Sequence, residues 1–127
     1  MITGAVNSAL EGTLRLTLRG PDGQRRRISA VIDTGYNGAL TLPSDVIAEL
    51  GLTWCDLGSV MLGDGSTCEC DIYAGVVAWD RRHIAIFVEE ANTTPLVGME
   101  LLHGFELNMK VQRRGRVTIK PLRRGRT

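Results

Sequence analysis

Long apolar runs are missing from this chain. No stretch approaches the roughly 20 consecutive apolar residues that a membrane-crossing helix needs, and the opening MITGAVNSALEG holds neither a basic leader nor a continuous apolar core. A soluble, cytoplasmic protein with no membrane partner is expected. Cysteine is scarce and odd in number, with three residues, so a framework that pairs every thiol is excluded and a reducing compartment fits better. Cys68 and Cys70 would share one face of a strand and raise the question of a metal pair. Zinc wants four ligands, however, and Cys55, His83 and His103 are scattered without paired spacing, so no metal is expected. The two histidines have no evident base or nucleophile partner, and no serine or cysteine stands in a recognisable nucleophile setting.

Acid is lacking at one end. Residues 110 to 127 hold eight Lys and Arg and no Asp or Glu, whereas residues 1 to 109 hold seven against fourteen. Arg113, Arg114, Arg116, Lys120, Arg123, Arg124 and Arg126 could neutralise phosphates. No aromatic residue lies among them to stack on a base. They read as a solvated strand and tail that offset an acidic body, and nucleic acid is not an expected partner.

What is present is enough for one core: 127 residues, 43% of them apolar. The expected organisation is a single domain over residues 1–120 followed by a basic tail over 121–127. Thr13 to Arg19 alternates leucine with Arg and Thr, the pattern of a half-buried strand. Gly20-Pro21-Asp22-Gly23 is turn chemistry, and Arg25 to Ile32 is a second strand that grows apolar toward its end. A short strand at Ala39 to Leu42 leads to the one convincing helix. There Ser44 is the expected N-cap, Val46, Ile47 and Leu50 form the apolar face, and Gly51 is the terminator. Ser59 to Leu62 and Thr67 to Tyr73 flank the tip Gly63-Asp64-Gly65-Ser66. Strands are expected at Gly75 to Trp79 and His83 to Glu89, and a closing hairpin at Phe105 to Val111 and Val117 to Ile119. Trp54 and Trp79 read as core or contact residues. About nine short strands with one or two short helices predict an all-β, closed barrel-like domain.

One feature resists a purely structural reading. In AVIDTGYNGALTLP, an acidic residue, Asp33, ends an apolar strand and is followed by Thr34 and Gly35 and then a second apolar run. A carboxylate placed there costs several kcal/mol of desolvation unless it is hydrogen-bonded or its charge is used. The stretch resembles the active-site segment of aspartic proteases. Two more segments follow in that family's order: LGDGS at the place of a flap hairpin, and PLVGMELL, whose Leu96, Val97 and Gly98 resemble the segment behind the active loop. From about Ile2 to Lys120 the chain looks most like the small, single-domain, retropepsin-like aspartic proteases of bacterial type.

That resemblance implies peptide hydrolysis by a water molecule between two carboxylates that share one proton, with no cofactor. One chain supplies a single Asp-Thr-Gly and is too short for two lobes, so the implied enzyme is a homodimer with Asp33 of each subunit forming the pair. By resemblance, Thr34 bonds across the dimer and Gly35 admits backbone amides. Gly63, Asp64, Gly65 and Ser66 close over an extended peptide or protein substrate, and Tyr36 and Asn37 border it. Asp64 also reads as an ordinary turn former. Tyr36 stands where the viral enzymes carry a small residue; it would narrow the cleft, bond substrate, or fill a core gap, and packing is the reading taken. A dimeric module that binds peptides without cutting them is the alternative.

Overall fold

The computed structural model describes residues 1–61 and 64–123. Among these residues ten strands and two short helices run in the order β1 (Ile2–Val6), β2 (Gly12–Arg19), β3 (Arg25–Ile32), β4 (Leu40–Leu42), α1 (Ser44–Leu50), β5 (Thr53–Met61), β6 (Thr67–Trp79), β7 (Arg82–Glu90), β8 (Leu96–Val97), α2 (Met99–Leu102), β9 (Phe105–Met109) and β10 (Arg116–Pro121). All strands join one sheet, ordered β5-β6-β7-β4-β8-β3-β2-β1-β10-β9. An additional β6–β2 pairing, Leu18 opposite Val77, brings six of them into a closed ring. The chain is thus all-β and barrel-like, as its alternation of apolar and polar residues predicts.

The core follows from that alternation. Leu14, Leu16 and Leu18 of β2 and Ile28, Ala30 and Ile32 of β3 point inward, each leucine or isoleucine contributing about 2 kcal/mol of burial. Trp79, Val77, Val88 and Val97 close the interior, and the Trp79 ring meets Phe105 edge-on at 5.8 Å between centroids. The β2–β3 turn forms where expected: Gly23 takes φ +83°, and the Gly20 amide donates to the Gln24 carbonyl at 2.9 Å.

Several expectations need correction. Ser44 does not cap α1. Pro43 holds the N-cap position, Ser44 is the first helical residue, and the Ser44 amide and hydroxyl both donate to Asn92 Oδ1 at 3.1 Å. The cap therefore comes from the loop before β8, 48 residues away, a tertiary solution that local propensity does not reveal. The C-terminus agrees with the reading, with Gly51 left-handed at φ 62°. Residues 67–73 and 75–79 form one strand rather than two, and β5 starts at Thr53 rather than Ser59. The strand β1 was not foreseen; it is held by Ile2 opposite Ile119 and Ala5 opposite Thr13. Of the two tryptophans expected in the core or at a contact, Trp79 is in the core, and Trp54 is exposed and donates its indole N–H to Asp71 at 2.9 Å. Leu62 and Gly63, and Arg124 and Arg126 of the tail, lie outside the described residues.

Candidate active site

Asp33 sits where β3 runs out of partners. Ile32 pairs in parallel register with Val97, and the Asp33 amide extends the ladder by donating to the Val97 carbonyl at 2.9 Å. The backbone then turns: the Tyr36 amide donates to the Asp33 carbonyl at 3.1 Å, and the Gly35 amide donates to the Asp33 carboxylate at 2.9 Å. The half-buried carboxylate is thus held by an amide two residues on, which offsets part of its desolvation. Thr34, Gly35 and Asn37 are exposed on the same loop.

Behind the loop lies the segment expected to support it. β8 is wedged between β3 on one side and β4 on the other, Val97 facing both Ile32 and Leu40. The Leu96 amide donates to the buried Thr41 hydroxyl at 2.9 Å. Beyond Val97 the chain stitches itself to the returning loop: Gly98 N–H to Ala39 O at 3.0 Å, Met99 N–H to Tyr36 O at 2.8 Å, and Glu100 N–H to Gly38 O at 3.2 Å. Gly98 is required by this close approach, because a Cβ there would overlap the Gly38 carbonyl and come within 2.5 Å of the Tyr36 ring. Leu96, Val97 and Gly98 therefore stand together with Asp33.

Tyr36 lies inward, in space that Gly38 and Gly98 leave open. Its phenol donates to Glu89 Oε1 at 2.9 Å, and the Cys70 thiol points at the other Glu89 oxygen at 3.8 Å. Burial first, and then the Glu89 charge and hydrogen bond, push the Tyr36 phenol far above its ordinary range, so it remains a protonated donor. The same two causes raise the Cys70 thiol. Tyr36, expected to border the substrate or to fill a core gap, is tied here to a polar anchor that the sequence did not reveal. Glu89 is the residue missed; the only signal was a carboxylate on the strand that register sets beside β4, Thr41 opposite Glu89.

Two grooves flank the loop. One of about 380 Å³ includes Asp33 and is otherwise mostly apolar, with Leu10, Val31, Leu96, Met109 and Val111 in its wall. The other, about 670 Å³, runs past Thr34 between α2 and β9, along Met99, Leu102, Phe105 and Leu107. The 64–66 tip contributes to neither. At that tip Gly65 is left-handed at φ +87°, and Asp64 accepts the Ser66 amide at 2.9 Å and hydroxyl at 2.6 Å. Those bonds, the hydroxyl's first, hold the Asp64 carboxyl below its usual range. Asp64 is a turn former in this structure; Gly63 lies outside the described residues.

The fold is that of the retropepsin-like aspartic proteases. A retropepsin-like aspartic protease from Rickettsia conorii superposes with a TM-score of 0.60 at 15% identity, covering 96% of this chain and 91% of that one. EIAV protease, in complex with an inhibitor, superposes with a TM-score of 0.57 at 17% identity, covering 72% and 85%. No protein-family model and no curated protein matches the sequence. Among the described residues no helix is long and apolar enough to cross a membrane.

Proposed function

We propose that this protein is an aspartic endopeptidase that hydrolyses peptide bonds of extended protein segments in the cytoplasm, with a water molecule activated between Asp33 and the same residue of a second copy. The observation that carries the reading is the Asp33 carboxylate itself. It is fixed at a strand end by the Gly35 amide, backed by β8, and opens on an apolar groove, yet the chain has one such carboxylate where the chemistry needs two. One Asp stays protonated and polarises the scissile carbonyl; the other takes a proton from the attacking water. Gly35 leaves the approach to the carboxylate open, Thr34 bonds the partner's loop, and Asn37 and the 63–66 tip border the peptide.

A sheet edge that no strand covers among the described residues supports the two-copy site. β9 ends the strand order, and its Phe105 and Leu107 share a groove with Thr34. Two β9 strands meeting antiparallel about Leu107 would set Phe105 opposite Met109 and Glu106 opposite Asn108, with no like charges opposed.

The test is cleavage of casein across pH 3 to 7 by wild type and Asp33→Asn, with and without a statine-type transition-state mimic, alongside sizing of both. Cleavage lost by about a thousandfold or more in the variant while the dimer persists, and blocked by the mimic, is the expected result. A confirmed dimer that binds peptides and yields no products would replace this reading with the binding module.

A further inference from the structure

The outer face of the β2–β3 hairpin carries charge that the fold does not use. The ladder sets Arg15 opposite Ser29, Thr17 opposite Arg27 and Arg19 opposite Arg25. The leucines of β2 point inward, so these six side chains share the opposite face. Arg19 and Arg25 are thus directly opposed like charges, an arrangement that destabilises a sheet. Among the described residues the carboxylate ion pairs are Met1–Asp80, Arg26–Glu49 and Lys120–Glu106, and none relieves Arg15, Arg19, Arg25 or Arg27. Arg19 Nε is in addition a buried donor with no hydrogen-bond partner, which costs more than an exposed one. A concavity of about 210 Å³ opens here, lined by Thr17, Arg25, Arg26 and Arg27.

The geometry points to a docking site for an acidic, extended polypeptide segment on this face. Side chains on one face of a strand repeat at roughly 7 Å, and an extended peptide with acidic residues at alternate positions has the same repeat. Its carboxylates would meet Arg25 and Arg27 along β3 and Arg19 across the ladder, as charge-assisted pairs. The segment lies on the side chains and does not add a strand, because the unrelieved charges stand on the sheet face and not along an edge: the ladder with β3 runs the length of β2 to Arg19, and β6 takes the other side of β2 at Leu18 and Arg19. No aromatic residue stands among the six outward positions to stack a base, which disfavours single-stranded nucleic acid as the occupant. Arg25 is eight residues from Asp33 along β3 and the following loop, on the order of 25 Å away. The site is separate from the proposed cleft and does not depend on its activity.

The experiment uses the full chain carrying Asp33→Asn, so that peptide is never consumed. A labelled peptide of alternating Glu and Ser is titrated in low salt against this protein and against the same protein with Arg19, Arg25 and Arg27 changed to Gln. Saturable binding, weakened about tenfold or more in the triple variant and by added salt, is expected. The triple variant should also melt at an equal or higher temperature, because the opposed charges are gone. Three results would overturn the proposal: no saturable binding of the peptide, tighter binding of an oligonucleotide or inorganic tripolyphosphate of matched charge, or a variant that melts lower and so marks the arginines as structural.

Discussion

The loop from Asp33 to Ala39 and the hairpin formed by β5 and the first half of β6 are built on opposite plans. Every turn of the loop is tied to something else: to β8 through Asp33 and Val97, to α2 through Tyr36 and Met99, to β7 through Tyr36 and Glu89. The hairpin is tied mainly to itself. From Leu57 opposite Asp71 to Met61 opposite Thr67 its partner is its own other strand, and Leu57 and Met61 are exposed by 52% and 74%. A group that must hold a carboxylate at fixed geometry gains from cross-bracing. A segment proposed to open and close over substrate gains from the lack of it. The two regions should therefore answer substitution differently.

The largest effect is expected behind the loop. Gly98→Ala drives a methyl group into the Gly38 carbonyl and the Tyr36 ring, backbone and packed aromatic that have no room to yield. The cost should be about 3 kcal/mol, read as a shift of the denaturant midpoint with the slope unchanged. A variant as stable as wild type would mean that the loop is not held as described.

Next comes the polar anchor. Tyr36→Phe leaves the partly buried Glu89 carboxylate without its phenol donor and should cost about 1 to 3 kcal/mol, whereas Glu89→Gln keeps an acceptor for the phenol and should cost less. The anchor also predicts a pH dependence. The folded-state phenol titrates above its unfolded value of 10.0, so its contribution to stability is complete below that pH. Above it the unfolded chain releases a proton that the folded chain keeps, and stability falls by up to about 1.4 kcal/mol per pH unit. Denaturant midpoints between pH 8 and 11 should decline more steeply in wild type than in Tyr36→Phe. Equal slopes would separate Tyr36 from the decline and leave it to the Cys70 thiol, which is also raised, and to Tyr73.

What could be read from the sequence divides along the same line. Alternation in Thr13 to Arg19 and Arg25 to Ile32, the Asp-Thr-Gly stretch and the Leu96-Val97-Gly98 segment each carry their signal within a few residues, and the strands and the loop follow from them. Glu89 beneath Tyr36, Asn92 at the start of α1, and Thr41 under Leu96 act across 53, 48 and 55 residues of chain. A pairing of that range leaves no periodicity or spacing to detect. The strand β1 escaped for a related reason: Ile2, Gly4 and Val6 alternate too weakly to announce a strand, and β10, which holds it, closes only at the other end of the chain.

The smallest effect is expected at the hairpin tip, and it sharpens the contrast most. Asp64 is fully exposed, and among the described residues its carboxylate takes the amide and hydroxyl of Ser66, two residues away. Its carboxyl is held below the ordinary value by those bonds, so whatever order it lends the turn is present above the unfolded value of 3.8 and fades as pH falls toward and through the lowered one. Asp64→Ala should leave the denaturant midpoint within error of wild type at pH 7, because an exposed turn of this kind adds little to global stability. If the tip closes over peptide as proposed, the same substitution should raise KM several-fold with little change in kcat, since a looser turn weakens ground-state and transition-state binding alike. A loss confined to kcat would instead place the tip among the groups that act on the reacting bond, and a loss of stability would mean that the hairpin is braced as firmly as the loop.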